Sequence, residues 1–249
     1  MKALILAGGQ GDRLNHLTQN QPKVLVNVAG RALISYTLEF LQNSRIAEIG
    51  VVVGYQAPLC IDFLKKHYPS VRIFQTPHFD KGSLLGMQCT LSILDDDFLL
   101  CNADHIYPKH LLDVLLKQSK GITAACDFDR PLVADDMKIK RGRQGTIQAI
   151  HKTLKDYDGG YIGMTYCPAS KLSTYLSARE TALAKLGPKA SVEMILGDLA
   201  ARGEPITIAD TSGIRWLEID TPEDLEKAEQ AIRNLQKDGS LSGRPRRPR

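Results

Sequence analysis

Two groups of residues in this sequence have the types and spacing that chemistry requires. The first is Leu6-Ala7-Gly8-Gly9-Gln10-Gly11-Asp12-Arg13-Leu14, followed shortly by Pro22-Lys23. Glycines directly after an apolar run let the backbone approach a bulky ligand and turn N–H groups toward phosphate oxygens. Arg13 adds a planar fork of donors, and Lys23 a point charge. Two cations and a glycine nest so close together match a triphosphate of roughly four negative charges. The second group is a pair of aspartates far apart in the chain. Asp104 lies just beyond the apolar run Phe98-Leu99-Leu100-Cys101, and Asp220 closes Trp216-Leu217-Glu218-Ile219. Parallel sheets place their sites at such carboxyl ends. Carboxylates there suit Mg²⁺, which keeps several waters and takes its other oxygens from phosphates. Either aspartate could instead simply finish a strand, with Asp220 favouring the dipole of the helix that follows.

Competing motifs fit less well. A P-loop needs a Gly-Lys-Ser/Thr that is absent. A dinucleotide fingerprint needs a third glycine where Asp12-Arg13-Leu14 stands, which counts against a dehydrogenase. An ordinary strand-to-loop turn accounts for the glycines alone, but not for Arg13 and Pro22-Lys23 at their present spacings. His105 after Asp104 reads as a loop residue, and His16, His67, His78 and His110 have no partner at a readable spacing.

These residues must be held by a scaffold whose pattern is legible. Lys2 to Ala7, Ile49 to Gly54, Val71 to Gln75 and Asp97 to Asn102 read as buried strands. Helical patterns over Ala32 to Asn43, Leu59 to His67 and Ser83 to Leu94 alternate with them. That alternation implies a Rossmann-like α/β fold, a mixed, mostly parallel sheet with helices on both faces. Short segments at Met137 to Lys140, Thr146 to His151 and Gly160 to Tyr166 predict a small antiparallel addition at the sheet edge. Helices follow over Leu172 to Leu186 and Val192 to Arg202, with strands at Ile206 to Ala209 and Arg215 to Ile219. Thr221, Pro222 and Asp224 form a capping box that opens a last helix running to about Lys237.

Composition narrows the class further. The 249 residues are 43% hydrophobic and 24% charged, enough for a full core without disulfide staples. We expect one domain over residues 1–238 and a basic Pro/Arg tail over 239–249 with too little apolar content to fold. Four arginines in the last ten residues account for the net charge of +4; without them 28 basic residues face 28 acidic ones. A neutral body gives no support for nucleic-acid binding. The apolar runs are too short to span a bilayer, and Met1-Lys2 passes straight into a strand without a signal-peptide pattern. Five scattered cysteines with no CxxC pair read as reduced, packed thiols, and the expectation is a cytoplasmic protein.

The stretch LAGGQGDRLNHLTQNQPKVLVNVAGRALISY resembles the signature of nucleotidyltransferases that join a nucleoside triphosphate to a sugar phosphate or phosphoalcohol. The likeness is specific over the first 36 residues and looser to about residue 235. It implies the fold of the nucleotide-diphospho-sugar transferases. It also implies that Leu6, Ala7, Gly8, Gly9 and Gly11 wrap base and phosphates, that Arg13 and Lys23 grip the triphosphate, and that Gly30-Arg31 closes the motif. Asp104 and Asp220 fall on the family's Mg²⁺ positions, and Asp104 also faces the nucleotide. Within the family, Gly82-Ser83-Leu84-Leu85-Gly86, Cys126-Asp127-Phe128-Asp129, Asp136-Met137-Lys138 and His151-Lys152-Thr153-Leu154 are most similar to the small CTP-dependent enzymes for inositol phosphate, phosphocholine and related phosphoalcohols. There Ser83 touches the nucleoside, Asp127, Asp129 and Glu193 meet the acceptor, and Lys152 holds its phosphate. Ser83 reads equally as a helix N-cap, and the others as surface charge. The implied partners are a nucleoside triphosphate and a small phosphomonoester, in a homodimer as family members often are. A sugar-1-phosphate acceptor with UTP, GTP or CTP is the near alternative, and a molybdopterin nucleotidyltransferase ranks behind it. A nucleotide-sensing subunit without catalysis is disfavoured by the intact Arg13, Lys23, Asp104 and Asp220.

Overall fold

The computed structural model describes residues 1–42 and 45–237. The expected basic tail over 239–249 lies outside them. β1 (Lys2–Ala7) is an interior strand of the sheet and carries the glycine turn at its carboxyl end. Next come a short hairpin of β2 (Asn27–Val28) and β3 (Arg31–Ala32), then α1 (Leu33–Leu41), β4 (Glu48–Val53), α2 (Ala57–His67) and β5 (Arg72–Gln75). The next stretch is α3 (Ser83–Gly86), β6 (Phe98–Asn102), β7 (His105–Ile106), α4 (Leu111–Gln118) and β8 (Thr123–Asp127). It continues with β9 (Lys138–Arg141), β10 (Ile147–His151), β11 (Gly159–Cys167), α5 (Leu172–Leu186) and α6 (Glu193–Ala201). The described chain closes with β12 (Thr207–Asp210), β13 (Leu217–Glu218) and α7 (Pro222–Lys237).

The main sheet runs β10-β9-β11-β6-β1-β4-β5, with β8 joining β11 to β12. β5, β4, β1 and β6 are mutually parallel, whereas β11 pairs antiparallel with β6, β8 and β9. This is the mostly parallel sheet with an antiparallel addition that the pattern implies. Both faces of β1 are buried. Leu4 packs with α3, α5 and α6, while Ala3, Ile5 and Ala7 pack with α1, α2 and α4. A third cluster seats α7 through Ala228 and Ile232 on Leu14, Val28, Leu33 and Ile219. That packing ties the C-terminal helix to the loop that carries Arg13.

Two elements differ from the expectation. The helix expected over Ser83 to Leu94 is one α-turn followed by 3₁₀ structure over Met87–Ile93. Cys89 Sγ and Thr90 Oγ1 donate to the Gly86 and Met87 carbonyls three residues back, competing with regular α-helical bonding. The strand expected over Arg215 to Ile219 shrinks to the two residues of β13, whose only ladder partner among the described residues is the equally short β7. α4, β8 and the β2–β3 hairpin lie where the sequence pattern named no element. The capping box forms as expected: the Asp224 amide donates to Thr221 Oγ1 at 3.2 Å, and the Thr221 amide donates to Asp224 Oδ2 at 3.0 Å. Four cysteines are buried and Cys89 is half-buried, all with free thiols. Among the described residues no helix is long and apolar enough to cross a membrane.

Candidate active site

Gly11 adopts φ +80°, a left-handed conformation natural to glycine. It also lies directly on the Lys23 stem, so a Cβ at this position would come 2.6 Å from Lys23 Cβ. The turn therefore seats the lysine, while Leu6, Ala7, Gly8 and Gly9 line a cleft of about 290 Å³ beyond it. Gly82 closes the far side of that cleft by a tight backbone approach. Its N–H donates to Pro188 O at 2.8 Å, and a Cβ there would collide with Ala190 O at 1.9 Å. Ser83 lines the cleft, but it is not the helix cap. Its Oγ accepts from the Val192 amide at 3.0 Å, joining α3 to the start of α6.

Lys23 is buried at 8% exposure, and its ammonium lies between the two aspartates. Nζ donates to Asp104 Oδ2 at 2.7 Å and to Asp220 Oδ1. The fold thus brings Asp104 and Asp220 to one point, as the metal reading requires. Burial works against a charged Lys23, yet the two carboxylates outweigh it and raise its pKa above the ordinary lysine range. Burial likewise opposes an ionised Asp104, but Lys23 and His105 hold it well below the usual carboxylate range. Lys23 so placed is a clamp on the carboxylate pair as well as a cation on the wall of the first cleft.

Arg13 donates to Asp220 Oδ2 at 2.9 Å and to Asp135 Oδ2 at 2.6 Å. Lys152 reaches the other oxygen of Asp135 at 2.5 Å. One carboxylate therefore bridges the two cations expected to meet phosphate. Burial works against the charge on Asp135, but Lys152 and Arg13 keep its pKa below the usual range. Arg13, Lys152 and Asp135 line a second cleft of about 580 Å³. Asn102, Asp104, Lys152 and Glu193 line both, so the clefts meet at the strand end of β6. Lys152 and Glu193 therefore stand at the junction of the two clefts.

Asp127 and Asp129 line neither of these two clefts. Asp127 is buried, accepting the Trp216 indole N–H at 2.8 Å and the Asp129 amide at 3.0 Å. Asp129 Oδ2 accepts the Gly213 amide at 2.6 Å. Both carboxylates satisfy donors of the loop leading into β13, Asp127 from a buried position and Asp129 from an exposed one. Arg31 also turns away, pairing with Glu39 and lying over Tyr36. The sequence reading missed Asn102, Arg130, Asp135 and Glu218 on the cleft walls; the dense charges between Asp127 and Lys138 were the available signal. His78, assigned nothing, lines the first cleft. His105 is a buried positioning residue, with Nδ1 2.7 Å from Asp104 Oδ1 and its ring stacked on Trp216. Burial opposes its charge, but Glu218 and Asp104 raise its pKa.

Among the described residues, two sets at this site could hold a cation. Asp104, His105 and Glu218 offer ligand atoms within 4.8 Å of one another. Asp104 and Asp220 already converge on a cationic nitrogen and give the oxygen-only set that Mg²⁺ prefers. The two-aspartate set fits Mg²⁺ better, because His105 is committed to its packing against Trp216.

A mostly parallel sheet thus sets a glycine turn at β1, cations behind it and two carboxylates at one site of an α/β protein. Residues 3–143 match the MobA-like NTP transferase domain, and the chain belongs to that family. It is 30% identical to the bifunctional IPC transferase and DIPP synthase of Aquifex aeolicus over 233 residues, 92% of this chain and 51% of that protein. It is 34% identical to the choline-phosphate cytidylyltransferase of Streptococcus pneumoniae over 111 residues, 45% of this chain and 48% of that protein. The chain spans about half the length of these curated relatives. The inositol-1-phosphate CTP transferase from T. maritima shares the fold with a TM-score of 0.77 and 21% identity, over 95% of this chain and 96% of that one.

Proposed function

We propose that this chain transfers a cytidylyl group from CTP to a small phosphoalcohol of the inositol phosphate or phosphocholine class, releasing pyrophosphate, in one catalytic unit over residues 1–238. The observation that carries the reading is the convergence of Lys23, Arg13, Asp104 and Asp220 at the junction of two clefts. One cleft has the glycine turn and Ser83 on its walls; the other has Lys152 and Arg13. Choline phosphate and a cytidylyl group are named for one relative, and inositol 1-phosphate and CTP for the solved structure that shares the fold.

A phosphomonoester dianion is already a nucleophile, so the reaction needs no general base. Its oxygen bonds to the α-phosphorus, the bond to the α–β bridging oxygen breaks, and that electron pair leaves with pyrophosphate. The work left to the protein is to bring two polyanions together and neutralise them. Gly8 and Gly9 give the nucleotide close access to backbone, and Lys152 positions the incoming phosphate. Arg13 can exchange its carboxylate partners for the phosphate charge that builds on the leaving group. Without the ion, Lys23 keeps Asp104 and Asp220 facing each other. Those two aspartates would hold Mg²⁺, which when bound supplies charge neutralisation at the phosphates.

The test is pyrophosphate release from CTP, UTP and GTP against a panel of phosphoalcohols and sugar 1-phosphates with Mg²⁺. Release that requires CTP and a phosphoalcohol together is expected. Nucleotide binding without release under every acceptor would instead mark a sensing subunit.

A further inference from the structure

The acceptor-side cleft contains the elements of a seat for an organic cation: an aromatic face flanked by carboxylates. The ring is Trp216, fixed by its hydrogen bond to Asp127 and stacked against His105 at 5.3 Å and 9°. The carboxylates are Asp136 and Glu218. The seat is occupied by the protein itself. The Arg130 guanidinium carbon lies 4.3 Å from the Trp216 centroid, and Nη2 reaches Asp136 at 2.8 Å and Glu218 at 3.8 Å. Only 8% of Trp216 remains exposed. Tyr161, the other aromatic side chain on this cleft, is 7% exposed, with its hydroxyl on Thr165.

We propose that Arg130 is a specificity residue that closes this cation seat, so that the acceptor carries an uncharged, hydroxylated alcohol on its phosphate and a quaternary ammonium headgroup is rejected. This rests on the nucleotidyltransferase reading and names the acceptor class within it. A cationic headgroup would have to displace the guanidinium from ring and carboxylates together, or lie beside it as a like charge. Two of the neighbouring carboxylates are already paired with cations. Asp135 is shared by Arg13 and Lys152, and Asp220 by Arg13 and Lys23. Hydroxyls meet no such barrier, and Asn102 and Glu193 on the same wall supply an amide and a carboxylate to bond them.

The experiment compares kcat/KM for inositol 1-phosphate, glucose 1-phosphate and phosphocholine with CTP, in the wild type and in Arg130→Ala. The wild type should prefer a polyol phosphate over phosphocholine by about a hundredfold or more. In Arg130→Ala the ratio should shrink by about tenfold or more through gained phosphocholine use, because ring and carboxylates become available. Equal or better phosphocholine use by the wild type, or a parallel loss of all acceptors in Arg130→Ala, overturns the proposal. Should Arg130→Ala fail to fold, Arg130→Met keeps the stem on the ring without the charge and must shift the ratio the same way. If no acceptor yields pyrophosphate, the transferase reading fails. Calorimetry still decides the seat: phosphocholine binding to Arg130→Ala alone supports it, and binding to the wild type, or to neither protein, refutes it.

Discussion

Replacing Lys23 with Met removes one ammonium and leaves two carboxylates facing each other without it. The side chains of Lys23, Asp104 and Asp220 are 10%, 25% and 16% exposed, so water can compensate only partly. Breaking a buried pair costs roughly 3–5 kcal/mol, and the partial exposure of the aspartates points to the lower end, about 3 kcal/mol. For a protein of this size that corresponds to a fall of about 6–12 °C in Tm. The same substitution vacates the position between the carboxylates, so added Mg²⁺ should raise the variant's Tm by more than it raises the wild type's. At a hundred times its Kd the ion restores about 2.7 kcal/mol. Thermal melts in EDTA and in millimolar MgCl₂, run on both proteins, measure both effects. A variant in EDTA that melts within about 2 °C of the wild type would refute the claim that the ammonium holds the aspartates together. Equal Mg²⁺ shifts in both proteins would refute the shared site.

Other perturbations separate the parts of the site. Gly11→Ala forces an alanine to φ +80° and drives its Cβ into the Lys23 stem, so a loss of about 1–2 kcal/mol is expected, with a raised KM for CTP; an unchanged melt and KM would detach the turn from the lysine. Asp127→Ala leaves the buried Trp216 N–H without its acceptor, costing about 1–3 kcal/mol and raising the KM for acceptor more than that for CTP. A rise confined to CTP would contradict that placing. Asp104→Ala should abolish pyrophosphate release while circular dichroism stays native, and retention of more than about a tenth of the activity would remove Asp104 from the centre of the reaction. Chelation with EDTA should stop turnover and excess Mg²⁺ restore it, whereas full activity in EDTA would exclude the divalent ion.

The readable parts of the molecule share a property: their structure is decided by neighbours in the chain. β1 and the turn after it follow from six apolar-flanked residues and a glycine cluster, and α5 spans Leu172–Leu186 as its pattern implies. The Thr221–Asp224 box opens α7 through bonds between residues three apart. Asp127 and Asp129 misled for the complementary reason. A carboxylate next to a strand end looks the same in sequence whether it faces a ligand or an indole N–H from a loop more than eighty residues later. Arg130 and Asp135 stayed silent because their meaning lies in what they pair with across the cleft.

Local spacing, then, determined the strand–turn module, the alternating sheet scaffold and the helix caps, since short-range sterics and periodic burial act along the chain. Tertiary structure decided the centre itself. Lys23 meets Asp104 and Asp220 across 81 and 197 residues, and Arg130 meets Trp216 only where the loop after β8 passes the loop before β13. Charges separated so far in sequence acquire partners only when the sheet sets strand ends side by side, and burial there turns formal charges into a working arrangement.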